Sequence, residues 1–426
     1  MQNKIKHPNS PLHNKVATII LAGGQGTRLH PLTIHRCKPS VSFAGRYRLI
    51  DIPISNSLNS HIFQIYVISQ YFASNLQQHL SATYHFDAFH PGQLEMLCPE
   101  ETPQGKNWFK GTADAIRQSW HNLSKANVDY FLILSGDQLY NMDLAKMLIF
   151  AESTQADLVI ASLPVKEAEA KRMGLLQMNE RCEVIDFFEK PTQAEVLKKF
   201  VYQKQRPTPH YLGSMGIYIF KKQALADLLS EQGDDFGKNL IPIQVKRGNT
   251  FAFVYDGYWE DIGTIESYYT ANLALTERKY CLNMYDDDHP IYTTPCHLPS
   301  PMIKDTRIKN SLISQGCVIE AQEISHSILG VRSYVQSGTV ITNSVLLGDL
   351  SENQDCTYQK GMIQPFCIGK DCLINKCIID ENTQIGHNVT LMNQNHLSTY
   401  DGDGIYIRDG IIVVTSGATI PDGFTL

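Results

Sequence analysis

The sequence predicts an α/β fold with a mostly parallel sheet, followed by a parallel β-helix. Three features lead there. Up to about Asn272, apolar runs of β type alternate with stretches of helical periodicity, the pattern of a sheet covered by helices. From Thr276 to Ser300 that periodicity lapses into Tyr285, the acidic run Asp286 to Asp288, and Pro290, Pro295 and Pro299, a linker composition. Beyond it, small apolar clusters return roughly every six residues. The chain is therefore expected to divide into a first domain over residues 1–280, a linker over 281–301 and a second domain over 302–426.

In the first domain the expected strands are Val16 to Leu21, Ile62 to Ser69, Tyr130 to Leu134, Leu158 to Ser162, Val184 to Phe188, Met215 to Phe220 and Phe251 to Tyr255. Their alternation with helices suits a doubly wound, Rossmann-like sheet. Ala113, Ile116, Trp120 and Leu123 repeat at helical spacing and would lay one apolar face on that sheet. Leu49 to Leu58 also reads as a helix, interrupted early by Pro53, which has no N–H to donate.

In the second domain the recurring apolar positions are Ile308, Ile313, Ile319, Ile324, Leu329, Val335, Ile341 and Leu346. After an insertion at Asp349 to Gly361 they resume with Ile368, Ile374, Ile379, Ile385, Val389 and Ile411 to Val414. Each short strand would place one such residue inward and then turn, often at Gly316, Gly330, Gly338 or Gly348. This is a hexapeptide-repeat pattern. One coil cannot bury its own inner face, so several must stack, and the ends need covering by another domain or subunit. Oligomerisation is expected on that ground.

Composition narrows the function classes. A chain of 426 residues with 43% hydrophobic and 19% charged residues has enough apolar material for two globular cores. A net charge of -6 leaves no basic footprint for nucleic acid, although local cations and backbone amides suffice for a small anion. Met1 to Lys15 is polar and no apolar run approaches the ~20 residues of a membrane span, so neither signal peptide nor anchor is expected. Ten cysteines without a CxxC pair fit reduced thiols in a cytoplasmic protein.

The residues that carry chemistry follow strands. Val16 to Leu21 runs into Ala22, Gly23, Gly24, Gln25, Gly26, Thr27 and Arg28, where glycines let backbone amides approach an anion and Arg28 adds donors for phosphate oxygens. No GKS or GKT follows, so this is not a Walker loop. Tyr130 to Leu134 ends in Ser135, Gly136 and Asp137, a carboxylate at the sheet edge where ligands gather. Asp261, in Tyr258-Trp259-Glu260-Asp261, would be its partner, and two such carboxylates suffice to hold Mg²⁺ against a triphosphate. Lys190, between Glu189 and Pro191, would project from its strand as a point charge suited to a monophosphate.

Taken together, the segments LAGGQGTRLHPLT, HRCKPSVSFAGRYRLIDIPISNSLNS, NWFKGTADAIRQ, SGDQLY, FFEKP, GSMGIYIF, DFGKNLIP and YWEDIGT resemble the glucose-1-phosphate adenylyltransferase family of sugar-nucleotide pyrophosphorylases, from Val16 to Gly423. The resemblance implies a Rossmann-like nucleotidyltransferase domain, a left-handed β-helix, a homotetramer and Mg²⁺ as cofactor. It implies an ATP site of Ala22, Gly23, Gly24, Arg28, Lys38, Gln70, Gly111 and Thr112, with Asp137, Arg28 and Lys38 catalytic and Asp137 and Asp261 as metal ligands. Gly174, Glu189, Lys190, Ser214, Tyr218, Asp235, Phe236 and Trp259 would form the glucose 1-phosphate pocket. Candidate anionic-effector positions are His35, Arg36 and Arg408.

Some positions depart from the family. His35 stands at a usually basic effector position, Arg408 and Ser416 where lysines are common, Gln25 for arginine or alanine, Gln138 for histidine and Phe109 for tyrosine. Three alternatives follow. One is a pyrophosphorylase for another nucleotide or sugar. Another is a catalytically silent regulatory subunit, against which stand Arg28, Lys38, Asp137 and Lys190, all present. The last is an acyltransferase in the solenoid, where His326, His387 and His396 are better read as surface or packing residues.

Overall fold

The computed structural model describes residues 15–87, 92–102, 105–203, 210–277, 281–350 and 366–426. The polar opening segment 1–14, residues 278–280 at the expected domain boundary, and most of the expected insertion, from residue 351 onward, lie outside the described residues.

The strands that position the cleft are β1 (Val16–Leu21), β2 (Gln64–Ile68), β3 (Gln93–Leu97), β4 (Tyr130–Ser135), β5 (Gln138–Tyr140), β6 (Leu158–Val165), β7 (Gly174–Met178), β8 (Val184–Glu189), β9 (His210–Lys221), β10 (Thr250–Val254) and β11 (Trp259–Asp261). The main sheet runs β8-β7-β9-β4-β1-β2-β3, and β6 pairs with both β9 and β10. The expected parallel sheet is its half from β4 to β3. The long β9 then runs antiparallel to β4, β6 and β7 and makes the other half mixed.

Side-chain alternation along the central strands feeds two cores. Val16 and Ile20 of β1, with Tyr130, Leu132 and Leu134 of β4, pack on one face against Leu144, Met147, Ile265 and Tyr268. Ala17, Ile19, Phe131 and Ile133 face the other core with Ala113, Ile116, Leu225 and Ile241. Residues of both phases are apolar because both faces are covered, which explains the unbroken apolar runs in the sequence.

The expected interruption at Pro53 does not occur. The helix spans Asp51–Asn59, so Pro53 falls in its first turn, where the missing N–H has no intrahelical partner to lose.

The second domain forms three sheets of six, five and seven strands. Inward residues stack in columns: Ile319, Val335, Ile368, Ile385 and Ile420 on one side; Ile324, Ile341, Ile374 and Leu391 on the second, headed by the exposed Ile308; Ile313, Leu329, Leu346, Ile379 and Val414 on the third. The corners are not all glycine. Gly316, Gly338 and Gly348 turn with positive φ, but so do Asn310, His326 and Asn343. An antiparallel hairpin of Thr399–Asp401, Ile405–Arg408 and Ile411–Val414 ends the third sheet.

The solenoid docks on the first domain through a shared apolar cluster, in which Ile328, Val345, Ile378 and Val413 join the core of Leu29, Phe43 and Tyr268, and through polar groups. The Val331 amide donates to the Gly45 carbonyl at 3.0 Å, the Tyr269 hydroxyl to the Asn343 carbonyl at 2.6 Å, and Arg36 reaches Asp380 and Glu381. Among the described residues, no helix is long and apolar enough to cross a membrane.

Candidate active site

A cleft of about 1160 Å³ opens at the carboxyl ends of β1 and β4 and extends under β7, β8 and β9. Every residue expected in the nucleotide, sugar and metal sites lines it except Ala22 and Lys38. Ala22 is buried and its amide donates to the Ile68 carbonyl at 2.8 Å, so it closes the end of the sheet instead of offering a donor to the cleft. Lys38 comes from behind the wall and extends its ammonium to Asp137 Oδ2 at 2.5 Å.

The glycine-rich loop owes its shape to backbone geometry. Gly26 has φ of 65°, and a Cβ there would lie 3.0 Å from Lys38 Cβ, so any other residue would be strained and would press on the lysine stem. The Thr33 hydroxyl holds the loop by donating to the Gly26 carbonyl at 3.0 Å. Arg28 follows in a short turn, exposed at the mouth.

Gln70 joins this loop to the opposite wall. Its amide nitrogen donates to the carbonyls of Gly23 (3.2 Å) and Phe109 (3.3 Å), and its oxygen accepts from the Phe109 amide (2.9 Å). Gly111 and Thr112 begin the helix Thr112–Leu123. A Cβ on Gly111 would fall 2.3 Å from the Asp234 carbonyl oxygen, so only glycine permits this approach. The Thr112 hydroxyl meets Asp235 Oδ2 at 3.3 Å and accepts from the Phe236 amide at 3.0 Å, which ties the helix Thr112–Leu123 to the segment that begins at Asp235.

Asp137 and Asp261 meet because β5 and β11 pair antiparallel with Asp261 opposite Gln138, and the Ile262 amide donates to the Asp137 carbonyl. The Ser135 hydroxyl donates to Asp137 Oδ1. Asp261 is open to the cleft but enclosed by protein elsewhere. That desolvation, with the negative charge of Asp137, pushes its carboxyl up against the opposing pull of Lys38, Arg28 and Lys190. Two neighbouring carboxylates with an unfavourable charge between them suit a divalent cation. Among the described residues no group of three or more His, Cys, Asp or Glu forms an all-protein metal cage. The pair therefore fits a Mg²⁺ that takes one or two carboxylates and completes its shell with phosphate and water.

Among the residues expected for the sugar phosphate, Gly174 sits opposite Glu189 in the β7–β8 ladder. Lys190 has φ of 48° and stays exposed, its ammonium 3.4 Å from Glu189. Burial pushes the Glu189 carboxyl up and Asp235 adds to this, while Lys190 pulls it back. The Tyr218 ring stacks on Phe236 at 6.3 Å, with its phenol raised by burial and Ser214 beside it.

The three expected effector positions are not brought into one open site. His35 is exposed and its carbonyl accepts from Asn75 at 3.0 Å. Arg408 lies over the Tyr406 ring at 5.3 Å and donates to the Tyr400 carbonyl and to Asp401. Arg36 is 6% exposed, bonded to both oxygens of Asp380 (3.0 Å each) and to Glu381 (2.9 Å). Both terminal nitrogens of its guanidinium are engaged by carboxylates of the solenoid, so this buried side chain joins the domains.

Sequence reasoning passed over several groups in the cleft wall, among them Tyr71, Lys171, Arg172 and Glu260. It also left Gln138 without a role, although its place directly after Asp137 was a signal.

Comparison with protein families gives two adjoining matches: a nucleotidyl transferase over residues 17–278 and a GLGC left-handed parallel β-helix domain over residues 296–425. The first covers more than half of the chain, and the second gives the solenoid its left hand.

Proposed function

The chain belongs to the nucleotidyl transferase family, with the domain pairing that is the signature architecture of glucose-1-phosphate adenylyltransferases, and on that premise we propose that it joins ATP to α-D-glucose 1-phosphate, giving ADP-glucose and diphosphate. The observation that carries the reading is one cleft lined by the glycine loop with Arg28, by the Glu189–Lys190 turn and by the carboxylates Asp137 and Asp261, two cationic groups suited to two anions. The product would be the activated glucosyl donor for glycogen or starch synthesis in the cytoplasm. Residues 1–280 would catalyse, 281–301 link, and 302–426 serve assembly and regulation. Met302 and Ile303, 50% and 44% exposed on the first coil, support coverage by other subunits, as in a homotetramer.

A phosphate oxygen of the sugar substrate is already anionic, so it attacks the α-phosphorus of ATP without a general base. A new P–O bond forms as the bond to the diphosphate leaving group breaks. The protein's task is to align two mutually repelling anions and offset charge on the leaving group. Arg28 and the loop amides would hold the triphosphate, Lys190 the sugar phosphate, and Glu189 the sugar hydroxyls. Lys38 orients Asp137 through their 2.5 Å ion pair. Asp137 and Asp261 would hold Mg²⁺, which when bound neutralises phosphate charge and orients the triphosphate. Arg28, Lys38, Asp137 and Lys190 are all in position, which favours an active enzyme over a silent subunit.

The test is diphosphate release by the purified protein with Mg²⁺ and glucose 1-phosphate, comparing ATP, UTP, dTTP and GTP. Release selective for ATP, with ADP-glucose as co-product, is expected. Selectivity for another nucleotide would reassign the base, and no release from folded protein would favour the silent subunit.

A further inference from the structure

Gln138 is 6% exposed, and its side-chain amide is used at both ends. Nε2 donates to the Met215 carbonyl at 2.8 Å, and Oε1 accepts from the Trp259 indole N–H at 3.3 Å. Its backbone pairs with Asp261. One residue thus ties together the strand that follows Asp137, the strand that carries Ser214 and Tyr218, and the strand that carries Trp259 and Asp261. These are the carboxylate pair and two walls of the sugar end of the cleft.

The chemistry of the side chain is specific. An amide has a donor and an acceptor on adjacent atoms, which is what a carbonyl on one side and an indole N–H on the other require. Glutamate would set a second acceptor against the Met215 carbonyl and add negative charge beside Asp137 and Asp261. Methionine fills a similar volume but would leave both partners unpaired in a buried place. A neutral imidazole again offers one donor and one acceptor. Space on the third side is limited as well, since a Cβ on Gly216 would lie 3.4 Å from Nε2.

We propose that Gln138 is a positioning residue for the sugar phosphate: it fixes the Trp259 indole as a wall of the sugar pocket and sets that wall's distance from the Asp137–Asp261 pair. This rests on the substrate reading above. Gln138 touches no reacting atom and acts through Trp259, so its loss weakens sugar-phosphate binding while the nucleotide end, tied separately by Gln70, is unaffected.

The experiment compares Gln138→Met and Gln138→His with the unmodified full chain. For Gln138→Met the KM for glucose 1-phosphate is expected to rise about tenfold, with kcat and the KM for ATP within about twofold; Gln138→His restores most of the loss. A second readout needs no turnover. The chain has three tryptophans, and the Trp259 indole N–H signal in ¹⁵N–¹H NMR is assigned by its disappearance in Trp259→Phe. It should shift and exchange faster in Gln138→Met and recover in Gln138→His. An unmoved signal with an unchanged KM overturns the proposal, and so does an equal loss in kcat and both KM values, which would mean general distortion. If the unmodified chain makes no ADP-glucose, the substrate reading fails by itself. Gln138 is then judged by titrating the indole signal with hexose 1-phosphates: equal affinity in the chain and in Gln138→Met would overturn its role.

Discussion

At the seam between the domains Arg36 is buried against two carboxylates, while two residues later Lys38 reaches a single carboxylate in the cleft. The seam is closed on all sides. Ser42 donates to Glu381, Arg48 stands 3.7 Å from the same carboxylate, and the Tyr268 hydroxyl donates to the Ser42 carbonyl at 2.5 Å. Both acids suffer burial there; Arg36 and Arg48 nevertheless hold Glu381 below its ordinary range, while Asp380, with Glu381 beside it, stays raised. In the cleft the acids are left dissatisfied, with Asp261 and Glu189 both pushed up and Lys190 exposed. The difference is one of access more than of strain, since Asp380 is raised as well: the seam's charges meet only protein, whereas Asp261 and Lys190 stay exposed in the cleft.

The largest test of that division is Arg36→Ala. It leaves Asp380 and Glu381 buried with their main counter-charge gone and should cost about 3–5 kcal/mol of stability in denaturant unfolding. Adding Asp380→Asn and Glu381→Gln should recover most of it; no recovery would mean that Arg36 acts by packing. Next is Asp137→Asn, expected to lower kcat about 10²–10³-fold with little change in Tm, the reverse signature, because its charge serves the reaction and not the fold. A Tm loss as large as that of Arg36→Ala would break the comparison.

Much of this contrast was legible beforehand, but unevenly. The strands β1 and β4 announce themselves because both faces are buried and, apart from Thr18 and the terminal Ser135, their residues are apolar or aromatic. The glycine loop and Asp137 follow directly from those strand ends. The strand β3 was missed because it is an edge strand with Gln93 and Glu95 in it. The strand β7 was missed because its partners are β8 and β9, pairings that no local pattern encodes. The ion pairs of Arg36 are not legible in the sequence because its partners lie 344 and 345 residues away. The Asp137–Asp261 pairing was anticipated from residue type, whereas the register that creates it became visible only in the fold.

Two smaller effects sharpen the cleft side. Lys190→Ala should raise the KM for glucose 1-phosphate about tenfold and leave that for ATP near its original value if its ammonium holds the sugar phosphate as proposed. Initial rates with each substrate varied in turn decide this. Glu189→Gln probes the raised carboxyl through pH. A carboxyl whose pKa is higher in the folded than in the unfolded chain binds its proton more tightly in the fold. Its cost is therefore absent below the ordinary glutamate range and is complete once pH exceeds the raised folded value. The ligand-free variant should match the original chain at low pH and be more stable above that window, by less than about 1 kcal/mol. Thermal unfolding across pH reads the difference, and a gain confined to acid would refute the assignment.

The solenoid's aliphatic columns have a further consequence. Val335 stacks directly on Ile368, and Leu346 on Ile379, across the stretch that begins at Leu350, so the ladder keeps its register where the chain between rungs is about twice the usual length. A rung is recognised by the residue above and below it, not by how much polypeptide was spent reaching it. Such a scaffold has ports: peptide can be added or grafted at a corner while the stack keeps its pitch.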